Sequence, residues 1–257
     1  MGKVDLHIHT IYSWDGTCSV PAVLKQAAHI ARLDVIAITD HDEIAGALVA
    51  EKLAAQYGIE VIPGSEISTA DGHLIALFIR EKIPAGLSLA ETVLKVGEQG
   101  GLCIAAHPTA RGSSSLSGQT IRETLRDPRV ARILVGIEIF NAGIVHRKGN
   151  KHAQALARTL PVAPIGSSDS HLIWTIGKGN TEFAGRTAAD FRRALESRTT
   201  TVRIGKEVSP VGLILGWVRG FLLRKAGWVE CNFRPEEPVT LGKITSASLA
   251  ATLSLGD

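Results

Sequence analysis

The sequence predicts an α/β domain built on parallel strands, of the barrel type, and three observations carry that reading. Short β-rich runs alternate with helical stretches along the chain, the pattern of β-strands linked by crossover helices. A length of 257 residues suits one large domain, since a single α/β barrel runs to about 250 residues. Histidines and acids fall at the C-terminal ends of the β-rich runs, where parallel barrels place their active sites.

Taken in order, the first strand, 4–9, ends in His7-x-His9. Side chains alternate along a strand, so residues two apart share a face and can grip one ion. A helix over 20–32 follows, with Ser19 as N-cap and proline in its first turn. Strand 35–39 runs into Thr39-Asp40-His41 and a helix over 43–57, and strand 60–63 runs into Gly64-Ser65-Glu66. His73, in the turn after Asp71-Gly72, opens strand 73–79, and a helix over 87–98 leads to strand 102–106, which ends at His107-Pro108. A helix over 121–125, strand 136–140, a helix over 152–160 and strand 163–166 complete the alternation, the last running into Ser168-Asp169-Ser170-His171. Thr187 caps a further helix over 188–197. Of Glu138 and Asn141 beside strand 136–140, one is expected to face the site and the other to brace a loop. Gly16, Gly64 and Gly166 are read as tight-turn residues. Asp40, Asp42 and Ser170 flank ligands, and orient them or cap the following helices.

Six of the nine histidines lie at such strand ends, and His29, His146 and His152 are left as ordinary surface or core residues. Imidazole and carboxylate without thiolate suit Zn, Mn or Fe(II), and more ligands than the four one ion needs point to two or three metals. Glu66 has the chemistry to bridge two of them. A polynuclear site generates hydroxide at neutral pH and clamps both oxygens of a displacement, which is phosphoester chemistry more than redox.

Composition narrows the function further. The formal charge of +3 is small and the cations are scattered, so no stable nucleic-acid complex is expected. Cys18, Cys103 and Cys231 are odd in number and far apart, which excludes a disulfide framework or a thiolate zinc site and places the chain in a reducing cytoplasm. The N-terminus has no apolar run of signal-peptide length. The segment 210–228 is strongly apolar but broken by Arg219, Arg224 and Lys225, too short and too charged for a membrane span. The favoured reading is a helix packed on the domain or on a second subunit of a homo-oligomer; contact with a membrane surface is the lesser alternative. The expected organisation is thus a catalytic barrel over 1–205 and a C-terminal helical segment and tail over 206–257.

The motifs DLHIHTIYSWDG, ITDHDEIAG, PGSEIS, AAHP and GSSDSH, in this order, resemble those of the PHP (polymerase and histidinol phosphatase) family, closest in pattern to its small stand-alone phosphoesterases, over roughly 2–203. The resemblance implies a distorted seven-stranded (β/α)7 TIM-like barrel with a trinuclear metal centre. It implies that His7, His9, Glu66 and Asp169 hold one ion, that Glu66 bridges to a second held by His107 and His73, and that Asp15, His41 and His171 hold the third. Asp15 stands where some members have histidine, which bears on the third ion. The helical insertion of the nucleotide-processing members has no room between Ile79 and Leu102. All nine positions keep a metal-binding residue, so an active enzyme is expected.

The function expected is metal-dependent hydrolysis of a phosphomonoester or phosphodiester on a small phosphorylated substrate, a nucleotide among them. A metal-bound hydroxide, on the ion held by Glu66, His7, His9 and Asp169, is expected to attack phosphorus, with the general acid left open between His171, His41 and a neighbouring Asp. Arg111, Arg147 and Lys148, on the loops 109–113 and 146–148, are the expected phosphate-binding residues. Two other readings compete: an amidohydrolase-like C–N hydrolase, which shares the HxH and late Asp, and a non-catalytic metal-binding module. The second would sit beside a polymerase, and this chain ends soon after its barrel.

Overall fold

The computed structural model describes residues 1–110, 114–143, 148–205 and 208–246. Nine strands form its main sheet: β1 Gly2–Asp5, β2 Val35–Ile38, β3 Glu60–Thr69, β4 Gly72–Leu77, β5 Leu102–Ala105, β6 Leu134–Asn141, β7 Ala163–Ser167, β8 Gly179–Phe183 and β9 Thr201–Ile204. Their spatial order is β7-β6-β5-β4-β3-β2-β1-β8-β9. Beyond β1, Ile8 forms a parallel bridge to Ser170 beyond β7, with His9 N–H donating to the Ser170 carbonyl at 2.9 Å and Ser170 N–H to the His7 carbonyl at 3.0 Å. Strands β1 to β7 therefore curl into a nearly closed seven-stranded barrel. The hairpin β8–β9 pairs antiparallel with β1 and lies against β7, where the Thr181 hydroxyl donates to the Gly166 carbonyl at 2.9 Å, so it covers the seam of the barrel.

The alternation of side chains sorts the apolar residues into two cores. Along β2, Val35 and Ala37 point into the barrel with Val4, Leu6, Ile62 and Ile165, while Ile36 and Ile38 point out toward the helices with Val23, Leu24 and Leu53. Phe183 and Phe191 meet edge to face in the inner core, ring centroids 5.4 Å apart. Aromatic pairs of this geometry add about 0.5–1.5 kcal/mol beyond the area they bury.

The helices are α1 Val20–Lys25, continued by a π-helical turn Gln26–Ile30; α2 Ala45–Tyr57; α3 Leu89–Glu98; α4 Gly118–Thr124; α5 Pro128–Ala131; α6 Lys148–Ala157; and α7 Ala188–Glu196. Ser19 caps α1 by accepting from Ala22 N–H, and Thr187 caps α7 in a reciprocal capping box with Asp190, both as the sequence predicts. Helix α2 has no side-chain N-cap; Glu43 accepts from Ile44 and Ala45 N–H at 2.8 and 3.1 Å instead, so neither Asp40 nor Asp42 caps it.

Three expectations need correction. The strands are not all parallel: β4 runs antiparallel to both β3 and β5, because Thr69 to Gly72 make a tight reversal rather than a crossover. Strand β1 stops at Asp5 rather than His9, because its ladder to β2 ends there and Ile8 N–H turns to the Thr39 hydroxyl at 3.2 Å. Gly16, Gly64 and Gly166 have no left-handed backbone and serve close approach instead of tight turns: a Cβ would meet the Thr10 carbonyl oxygen at 1.9 Å, that of Ala76 at 2.5 Å and that of Asn180 at 2.8 Å.

C-terminal to the barrel, α8 Pro210–Lys225 leads into an antiparallel hairpin, β10 Trp228–Cys231 and β11 Thr240–Lys243. The hairpin joins the barrel side through a bridge between Cys18 and Glu230 and through Tyr57, whose hydroxyl lies 3.1 Å from Asn232 Oδ1. Among the described residues no helix is long and apolar enough to cross a membrane.

The close approach of β7 to β8 gives a test of barrel closure. Gly166→Ala should lower stability to urea by about 1–3 kcal/mol, the usual cost of overpacking, because its methyl would press on Val202 as well as the Asn180 carbonyl.

Candidate metal centre

The His7-Ile8-His9 segment is stitched on both sides, to Thr39 through Ile8 and to Ser170 through its flanking peptides. Both imidazoles are thereby fixed on one inner face, fully buried, their ring centroids 5.0 Å apart. They converge on two carboxylates. His7 Nε2 lies 3.0 Å from Glu66 Oε2 and 3.4 Å from Asp169 Oδ1; His9 Nε2 lies 3.3 and 3.4 Å from the same two atoms.

Glu66 divides its oxygens between two groups of imidazoles. Oε2 faces His7, His9 and His41 Nδ1, the last at 3.3 Å; Oε1 faces His73 Nδ1 and His107 Nε2, both at 2.9 Å. The antiparallel turn of β4 makes this arrangement. Reversal places His73, at the start of β4, opposite Ser68 near the C-terminal end of β3, so it reaches the same mouth as the ends of the parallel strands. Asp15 Oδ2 lies 3.0 Å from His171 Nε2 and 3.4 Å from His41 Nε2, with Ser13 donating to its other oxygen at 2.7 Å.

All nine residues named as metal ligands from the sequence thus come together. Among the described residues four groups could each hold an ion, their donor atoms within 4.8 Å of one another: His9-Asp15-His41-His171, His7-His9-Glu66, His7-His107-Asp169 and His41-Glu66-His73. The nitrogens fit that role. His7 Nε2 and both ring nitrogens of His9 are buried without a well-formed hydrogen bond, a costly state, and in the neutral ring each histidine has one lone pair that a positive centre could take. Of the expected phosphate-binding residues, Lys148 is exposed at the start of α6, while Arg111 and Arg147 lie outside the described residues. His29 and His152 are exposed surface residues.

Charge within the cluster is strongly coupled. Burial alone would raise the Glu66 and Asp169 carboxyls, yet the surrounding imidazoles, His7 foremost, hold both well below the usual carboxylate range. Burial would lower the His9 ring, but Asp169 and Glu66 outweigh it and push it up to about 10.

A second layer of buried acids holds the ligands in place. Glu138 Oε1 pairs with His7 Nδ1 at 2.9 Å; since a carboxylate only accepts, Nδ1 carries the proton and Nε2 turns its lone pair to the cluster. Glu138 Oε2 accepts from His107 N–H at 2.6 Å and from Asn141 Nδ2 at 3.1 Å, and the same amide nitrogen donates to Asp169 Oδ2 at 3.0 Å. Three residues apart on a regular strand, Glu138 and Asn141 would face opposite ways. A bulge between Glu138 and Phe140 turns both inward, so both serve the site where the sequence suggests only one.

Asp5 escapes the sequence reading, although it stands two residues before His7 on the same face. It accepts from Ser168 and Gly177 N–H at 3.0 and 2.8 Å, tying β1 to the segment that presents Asp169, and burial pushes it up to about 6. Asp40 braces the loop after His9 by accepting from Thr10 N–H and hydroxyl at 2.6 and 2.8 Å, and Asp42 accepts from Ser68 N–H at 2.8 Å. Backbone strain gathers at the site: His107, Thr109, Asp169 and Asp42 have φ of 24°, 63°, 50° and 50°. Each such residue costs on the order of 1–3 kcal/mol unless its surroundings compensate.

Comparison with known proteins agrees with this geometry. The PHP domain family model matches residues 5–158, and the PHP-associated model matches 147–200. The chain belongs to the PHP family. An uncharacterized protein of Methanocaldococcus jannaschii is 39% identical over 171 residues, 63% of this chain and 94% of that one. The phosphoribosyl 1,2-cyclic phosphate 1,2-diphosphodiesterase of Eggerthella lenta is 34% identical over 97 residues, 35% of this chain and 36% of the enzyme. Among solved structures, a two-domain Bacteroides vulgatus protein containing a predicted PHP-like metal-dependent phosphoesterase superposes with a TM-score of 0.62 at 20% identity, covering 83% of this chain and 69% of that one. At that identity the likeness speaks to the fold alone. In this PHP protein the nine-stranded sheet extends the expected seven-stranded barrel by the hairpin β8–β9.

Two outcomes follow from the electrostatics. A His9 ring raised from 6.5 to about 10 carries its proton across the neutral range in the metal-free protein. That stabilisation is fully present below 6.5 and is lost as pH rises through about 10, so loading with Mn²⁺ or Zn²⁺ should release protons and tighten from pH 6 to pH 8. Calorimetric titration in buffers of different ionisation enthalpy measures the release; heats independent of buffer would contradict it. Glu138→Gln sets an amide N–H against groups that need an acceptor, and should weaken metal retention against a chelator by about 10–100-fold.

Proposed function

We propose that this PHP protein is a hydrolase of phosphoesters that works with two or three divalent ions, Mn, Fe or Zn, on a small phosphorylated substrate, nucleotides included. The observation that carries the reading is Glu66: one buried carboxylate whose two oxygens each face a separate set of imidazoles, which is what a bridging ligand requires. His7, His9, Glu66 and Asp169 would hold one ion, Glu66 with His73 and His107 a second, and Asp15, His41 and His171 a third. Bound there, the ions would supply Lewis acidity toward phosphoryl oxygens and activate water at neutral pH.

The chain's own residues supply the rest. Glu138 and Asn141 keep His7, His107 and Asp169 in fixed orientation, so the cluster does not reorganise as charge develops on the substrate. The start of α6 packs against the loop after His107, where a Cβ on Gly149 would come within 3.2 Å of Ala110, and it presents Lys148. A helix N-terminus with an exposed lysine suits an anionic group, and we assign phosphate binding to Lys148 at this rim and, on sequence alone, to Arg111 and Arg147. The activity of the Eggerthella relative, a diphosphodiesterase of a cyclic phosphate, favours phosphorus over a C–N bond as the target. Three buried, unpaired thiols suit a reducing compartment, and we place the protein in the cytoplasm.

Protein loaded with Mn²⁺ should release phosphate or p-nitrophenol from generic phosphomonoesters or phosphodiesters, and His9→Ala or Asp169→Ala should reduce the rate to background. Metal-replete protein inert on a broad phosphoester panel yet active on amides or lactones would sink the assignment in favour of an amidohydrolase.

A further inference from the structure

Helix α8 is packed inside out. By its 100° rotation per residue, Gly212, Gly216 and Gly220 share one side. That side meets the barrel: a Cβ on Gly216 would stand 2.8 Å from Leu172, and one on Gly220 would stand 2.6 Å from Thr17. The large side chains face away. Val211, Ile214, Leu215, Val218 and Leu222 are 65, 51, 64, 43 and 62% exposed, and they fall within an arc of roughly 100° on the outer face.

Two of the three cations of the helix lie off that arc, and the third, Lys225, falls within it only at the C-terminal end. Arg224 turns inward and donates to the carbonyls of Gly16 and Ile11, the latter at 3.1 Å, and Arg219 lies 3.7 Å from Glu230. Lys225 stands at the end of the arc, its Nζ 5.3 Å over the Phe221 ring. A soluble chain rarely leaves five aliphatic side chains contiguous in water without a partner for them.

We propose that this face is the interface of a homodimer, in which α8 of one copy packs antiparallel on α8 of a second. The spacing of Val211, Leu215, Val218 and Leu222 is four, three and four residues, a heptad seam suited to another helix. The seam is also palindromic. A two-fold axis between Gly216 and Trp217 sets Val211 against Leu222 and Leu215 against Val218 of the other copy, a smaller side chain against a larger one at each level. The same axis keeps the two Lys225 ammonium groups at opposite ends, roughly 25 Å apart along the helices at 1.5 Å rise per residue.

Area and charge favour this occupant over a lipid surface. A stable interface of about 1,200 Å² needs about 600 Å² from each copy, and the five aliphatics, 43–65% exposed, supply most of it. A helix lying on anionic lipid needs cations along its polar edge, whereas two of the three cations of α8 are held by the protein's own carbonyls and carboxylate. The dimer would also bear on the metal centre, since Arg224 grips both ends of the loop that carries Asp15.

Analytical ultracentrifugation of the full chain tests this directly. The wild type should sediment as a dimer at micromolar concentration, and Leu215→Glu with Leu222→Glu should shift the dissociation constant at least 100-fold toward monomer with an unchanged circular dichroism spectrum. Leu215→Cys with Val218→Cys should give an intermolecular disulfide on mild oxidation, the three native thiols being buried. A wild type that stays monomeric at 100 μM, a dimer indifferent to the glutamates, or absence of the cross-link would each overturn the proposal. Monomeric protein that co-sediments with phosphatidylglycerol vesicles and loses this with the same glutamates would assign the face to lipid instead.

Discussion

Everything at the mouth of this barrel is arranged around one buried carboxylate. Glu66 sits under five imidazoles with almost no access to water. Burying an isolated carboxylate is prohibitive, and burying an isolated imidazole with unpaired nitrogens is costly as well. Each makes the other tolerable only if the backbone brings them within about 3 Å, and that demand explains the irregularities of the sheet. In a regular parallel barrel the strand after Glu66 would begin at the opposite end. The hairpin from β3 into β4 instead returns the chain at once, and His73 meets Glu66 seven residues after it in sequence.

The second consequence is a layer of acids that never touch the cluster's centre. Asp5, Asp40 and Glu138 are fully buried, and each is satisfied mainly by backbone N–H groups or by a ligand's outer nitrogen. These bonds fix peptides in sparsely populated conformations at His107 and Asp169. Such strain persists only where the surroundings over-determine the geometry. A cluster free to relax would swing its imidazoles into solvent, so rigidity is what keeps His9 buried with its Nε2 between Glu66 and Asp169.

Seven of the nine candidate ligands are legible in the sequence because they end or follow a β-rich run, and the period of two puts His7 and His9 on one face; His73 opens a strand instead, and Asp15 enters only through the family resemblance. Asp5 obeys the same period and could have been found by extending it two residues back. What could not be read was everything that depends on a break in period. The bulge that turns Glu138 and Asn141 the same way adds one residue to one strand, and no local residue type announces it. The reversal of β4 was hidden because Asp71-Gly72 reads equally as a loop before a crossover. Gly16, Gly64 and Gly166 were misjudged because a missing Cβ looks the same in sequence whether it frees φ or admits a neighbour's carbonyl. The C-terminal helix was apolar by inspection, yet which side meets the barrel depends on where its glycines fall against Thr17 and Leu172.

That helix also shows why the site needs something beyond its strands. Asp15 is the one carboxylate of the cluster that comes from a loop rather than from a strand or a strand end; Tyr12 of that loop packs on the core, but Trp14, beside Asp15, is 64% exposed, so packing alone leaves this end of the loop weakly held. The guanidinium of Arg224 spans the loop at its base, donating to Ile11 and Gly16, while the Thr17 hydroxyl donates to the His171 carbonyl at 2.6 Å. Arginine suits this place because its planar fork reaches two carbonyls at once, where a lysine would satisfy one direction and lose more entropy per bond. Its half-burial lowers its proton affinity somewhat, and the nearby charges of Asp15 and Asp40 offset part of that cost. The loop is therefore held at both ends by Arg224, whose charge is favoured by that of Asp15 itself, and the C-terminal helix thereby braces the candidate metal centre even though it contributes no donor to it.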